Sequence, residues 1–163
     1  MNQFYKIAKL DNEYNLKIII ENENIKLTNI CHFDFLKIMF ELYKNILVDY
    51  KLDINTPNHC SVYILFKHLF EDFGYSQKCV YLNIQCEENE NVKYTITPIP
   101  FHSNIDIIPF TELTGIFSTN NDKLQIEIST IIETELPEYI ENIIISFIEK
   151  MVFTFKQFID KIE

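Results

Sequence analysis

Between Leu136 and Ile162 the sequence LPEYIENIIISFIEKMVFTFKQFIDKI repeats apolar residues at steps of three and four. Ile140, Ile144, Phe147, Met151, Phe155, Phe158 and Ile162 fall on one helical face, and Ile143, Ile148, Val152 and Ile159 widen it. Glu138, Asn142, Ser146, Glu149, Lys156, Gln157 and Asp160 leave only a narrow polar strip. The pattern predicts a long C-terminal helix that other elements cover on more than one side. Pro137 suits its first turn, where the missing N–H costs nothing. Glu133, Glu135, Glu138 and Glu141 crowd its positive end, and Lys150, Lys156 and Lys161 lie towards its negative end. Phe153 interrupts the polar strip and is a candidate partner contact.

The period shortens to two elsewhere. Phe4–Leu10 and Leu16–Ile20 read as strands around the turn Asp11-Asn12-Glu13, and Ile25–Leu27 as a third short strand. Val80, Leu82, Ile84 and Cys86 alternate with polar residues, as do Val92, Tyr94 and Ile96 after the acidic turn Glu87–Asn91. This predicts a hairpin with one dry and one wet face, ended by Pro98 and Pro100. Leu124, Ile126 and Ile128 make another strand. Asp34 to about Tyr50 reads as an amphipathic helix, Lys51 to Asn58 as a connector, and Ser61 to Phe73 as a second helix stopped by Gly74. Strands, a helix pair, more strands and a long helix predict one α+β domain spanning residues 1–163. Its antiparallel sheet of hairpins is covered by the helix pair and the C-terminal helix.

Composition narrows the chemistry. The 163 residues carry a formal charge of -10, and all 14 basic residues are lysine. Without arginine there is no planar fork for phosphate, and an acidic surface repels polyanions, so nucleic acid is not an expected partner. Only two glycines, Gly74 and Gly115, argue against phosphate-cradling loops and nucleophile elbows. The Lys, Asn and Ile richness fits an AT-biased genome, microbial or viral. Four cysteines do not make a disulfide scaffold, and the N-terminus lacks a continuous apolar signal segment, which fits a reducing, intracellular setting. Charges interrupt the long helix too often for a membrane span.

No residues converge on catalysis. Cys31-His32, His59-Cys60 and His68 lack metal-ligand spacing, and no cofactor or metal is expected. The acidic hairpin tip, Glu87, Glu88 and Glu90, with Tyr81 and Lys93 on the wet face, is the candidate docking patch, joined by Phe153. These features favour a non-catalytic protein-binding module acting on a more basic protein, with self-association possible. The alternative is a small-ligand binder or enzyme with an apolar pocket between the C-terminal helix and the sheet. The Phe101–Asn121 segment, with His102, would then serve as its lid.

Overall fold

The computed structural model describes residues 4–30, 32–69, 71–120, 123–132 and 135–162. Along the chain run β1 (Tyr5–Leu10), β2 (Glu13–Glu21), α1 (Leu27–Ile30), α2 (Asp34–Leu42), β3 (Leu47–Thr56), β4 (His59–Phe66), β5 (Lys78–Glu88), β6 (Val92–Pro98), β7 (Asp106–Ile107), β8 (Leu113–Asn120), β9 (Lys123–Ile131) and α3 (Glu138–Ile159). The strands form one sheet in the order β1-β2-β9-β8-β6-β5-β4-β3, with the short β7 parallel to the start of β5 and every other pairing antiparallel. The α+β architecture anticipated from the sequence is therefore present: a many-stranded antiparallel sheet, two short helices and a long C-terminal helix.

Strand alternation decides what the helices cover. On β2 and β9, Ile18, Ile20, Leu124 and Ile126 point inward and pack with Ile30 of α1 and with Val152, Phe155 and Ile159 of α3. On β4, β5 and β6, Cys60, Val62, Ile84, Cys86 and Val92 point to the same side and meet Phe33, Leu36 and Phe40 at and within α2. Each fully buried aliphatic or aromatic side chain here contributes about 1.5–3 kcal/mol. Polar groups fix the end of α3. Asn22 donates its side-chain amide to the Ile159 carbonyl at 2.7 Å and to that of Ile162 at 3.2 Å, satisfying acceptors that a helix terminus leaves open. The Tyr43 hydroxyl donates to the Met151 carbonyl at 2.8 Å.

The helices differ from expectation in their positions. Ile25–Leu27 is no strand, and helix begins instead at Leu27. The helix opening at Asp34 ends at Leu42 rather than near Tyr50, and Leu47–Thr56, expected as the end of that helix and the connector after it, is a strand. Its alternating Asp49, Lys51 and Asp53 are charges on an edge strand, which discourage further pairing. His59–Phe66 is a strand, not the start of a second long helix. Residues 99–105 explain why it looked apolar all round. They cross the sheet's outer face, where Phe101 meets Tyr63 and Tyr81 edge-on at 5.9 and 6.0 Å. Ser103 and the Ile105 carbonyl close over Cys79, which is fully buried. A strand covered on both faces loses its alternation.

Candidate functional site

Burial along the inner face is graded. Towards the end where α3 begins, each strand passes from closed to half-open. On β2, Ile20 and Ile18 are buried while Leu16 and Tyr14 are not. On β9 the change falls between Ile126 and Ile128, and on β6 between Val92 and Tyr94. Leu82 on β5 and Ile64 on β4 are half-buried beyond the closed Ile84 and Val62. The helix above repeats the gradient on its sheet-facing side: Val152, Phe155 and Ile159 are closed in, whereas Ile144 and Ile148 are half-exposed. Val80, Gly115 and Ile140 are the buried exceptions at that end.

Register makes the half-open residues contiguous. Tyr14 lies opposite Thr130, Thr130 opposite Leu113, and Leu113 opposite Ile96. In the adjoining row Leu16 faces Ile128, Ile128 faces Gly115, and Gly115 faces Tyr94. The result is an apolar seam between the sheet and the first half of α3, floored at its centre by a glycine. A Cβ at Gly115 would meet only the Phe117 ring, at an ordinary 3.5 Å. Two surface depressions lie outside the seam. One of about 350 Å³ is lined by Asn142, Ile143, Ser146, Phe147 and Lys150 on the side of α3 turned from the sheet, and one of about 300 Å³ lies on the outer face of the sheet among Lys6, Lys17 and Glu127.

The seam's rim is polar. Lys9 donates to Glu141 at 2.8 Å, and its ammonium lies 5.2 Å from the centre of the Tyr14 ring. Hydrogen bonding to Glu141, then to Tyr14, raises the Lys9 pKa above its usual value. The Tyr5 hydroxyl donates to Glu149 at 2.8 Å. On the opposite rim, Tyr75 of the β4–β5 loop is held up in pKa by burial and by a side-chain hydrogen bond with Tyr139, at the start of α3. Helix charges that suit a dipole on sequence grounds thus prove to be ties between α3 and the sheet. Only the cross-strand register exposes that role.

The residues singled out in the sequence are dispersed. Glu87 lies opposite Lys93 and Glu88 opposite Val92, with Glu90 in the turn between them. Tyr81, near the other end of β5, is half-buried against Phe101. Phe153 packs edge-on against Phe4 and Tyr5 at 5.1 and 5.9 Å, which accounts for an aromatic residue in the helix's polar strip. Of the Phe101–Asn121 segment, expected to cover an apolar pocket, residues 101–105 instead lie on the face away from α3, with His102 exposed, and Leu113–Asn120 is a strand within the sheet. His59 hydrogen-bonds Asn83 and His68 the Tyr75 carbonyl, and Cys31 lies outside the described residues. Among the described residues no three His, Cys, Asp or Glu side chains are placed to hold a metal. No described helix is long and apolar enough to cross a membrane.

No family model matches this sequence, and no curated protein matches it. Solved structures do. Human StAR-related lipid transfer protein 5 superposes with a TM-score of 0.61 at 12% identity, over 99% of this chain and 86% of that one. A STAR-related lipid transfer protein from Xanthomonas axonopodis gives 0.58 at 10% identity over 93% and 94%. Ara h 8.0201 gives 0.52 at 9% over 90% and 96%. The expectation of a protein-binding module with a basic protein partner is overturned by these likenesses together with the half-open seam. Negative charge and missing motifs describe the surface, and they carry no information about a site whose lining is aliphatic. The chain has the START/Bet v1-like fold: an antiparallel sheet curved around a long C-terminal helix, with two short helices at one end.

Proposed function

We propose that this protein binds a small hydrophobic ligand in the seam between α3 and the inner face of the sheet, without catalysing a reaction on it. The observation that carries this reading is the burial gradient. Leu16, Leu82, Ile96, Leu113 and Ile128 all point toward the helix-covered side, yet all stay half-exposed, while their neighbours two to four residues along the same strands are closed. Apolar surface left open beside a finished core is what a ligand can bury, at roughly 25 cal/mol per Å² removed from water. The likeness to two lipid transfer proteins supports the same reading. The described thiols do not act as nucleophiles: Cys60, Cys79 and Cys86 are buried, and burial pushes the Cys60 thiol up to about 11.

Fluorescence titration with the neutral probe N-phenyl-1-naphthylamine tests it. Saturable enhancement at one probe per chain, reversed by long-chain amphiphiles, is the expected result. A linear, unsaturable response equal to that of an unrelated acidic protein would refute the proposal.

A further inference from the structure

The ion pair at the rim stands where an apolar residue would be expected. Ile148, Val152, Phe155 and Ile159 form the sheet-facing series of α3, and Glu141, seven residues before Ile148, continues that series. Across the seam Lys9 lies directly opposite Tyr14 in the β1–β2 register, and its ammonium reaches the Glu141 carboxylate at 2.8 Å. The Lys9 side chain is 39% exposed and that of Glu141 18%. So wet a pair adds little to stability, and an apolar pair would close the seam at least as well.

We infer that the Lys9–Glu141 pair, backed by Tyr14, is the polar end of the binding site and selects a neutral amphiphile whose head is a hydroxyl. This rests on the reading of the seam as a ligand site. The ammonium has three donors and gives one to Glu141 and one to Tyr14, which leaves a third, and the carboxylate keeps acceptor capacity on both oxygens. A hydroxyl can accept from the first and donate to the second at once. A carboxylate head would face Glu141, and an ammonium head would face Lys9, each a like-charge contact. Behind the pair, Leu16 and Ile128 lead into the apolar seam and would take the tail.

Displacement of N-phenyl-1-naphthylamine by four probes of one chain length tests this: dodecanol, dodecyl methyl ether, dodecanoate and dodecylammonium. The wild type should prefer dodecanol over each of the others by about tenfold, the ratio set by one hydrogen bond to a charged group. In the double variant Lys9→Met/Glu141→Leu, which leaves no orphan charge, the alcohol and its ether should displace the dye within about twofold of each other. Dye binding with equal displacement by all four probes in the wild type overturns the inference and leaves the ligand site standing, as does an alcohol preference that survives in the double variant. Absence of any dye binding to the wild type overturns both.

Discussion

Gly115 lies directly opposite Ile128 in the β8–β9 register, and a Cβ built there meets a single atom, at 3.5 Å. The glycine therefore leaves room above the middle of the seam rather than relieving a clash or a strained turn. Gly115→Leu should fill that room. We expect a loss of stability below about 1 kcal/mol, since a strand tolerates leucine better than glycine, together with at least a tenfold fall in probe affinity. Unchanged affinity in a folded Gly115→Leu protein would place the ligand elsewhere.

The two halves of α3 are held differently. Its second half is closed into the core and tied by Asn22 and Tyr43, whereas its first half is half-exposed and held at its edges by Lys9 and Tyr75. Hydrogen exchange should therefore be slowest from Val152 to Ile159 and fastest before Ile148. Asn22→Ala should cost about 1 kcal/mol by leaving the last carbonyls without that donor. Uniform protection along the helix would contradict this division.

Alkaline stability follows from one buried and one half-buried acid. Burial, with a smaller contribution from Cys86, raises the Cys60 thiol from its ordinary 9.0 to about 11, and burial raises the Tyr43 hydroxyl from 10.0 to about 12. A group whose folded pKa is raised contributes fully below its unfolded pKa and loses that contribution as pH climbs through the folded one. The urea midpoint should hold up to about pH 9 and then fall between about pH 9 and 12. Cys60→Val should make the first part of that fall shallower. A midpoint flat to pH 11 in the wild type would disagree.

What the sequence disclosed depended on how each face is covered. The helix α3, the β5–β6 hairpin and β9 were readable because one face is dry and the other wet, so the period survives in the residues. Ser61 to Phe73 reads as helix because Phe101 crosses to the outer face of β4 and erases the alternation there. Leu47–Thr56 reads as a helix end followed by a connector because an edge strand carries charges that a central strand would exclude. The seam itself was named only as an alternative. Leu16, Leu113 and Ile128 look like ordinary core residues in the sequence, and only the register shows that they adjoin one another and stop short of full burial. Glu141 stands in the first turn of α3 as the pattern predicts, but its tie to Lys9 is not legible in the sequence, since that partner lies 132 residues away on β1.

Photolabelling with a diazirine-bearing long-chain alcohol, followed by peptide mapping, tests the site most directly. The account predicts adducts on the seam: Leu16, Leu113 and Ile128 on the sheet and Ile144 or Ile148 on α3, suppressed by excess unlabelled alcohol. Adducts confined to the outer face around Lys17 and Glu127, or labelling that competitor does not suppress, would contradict it.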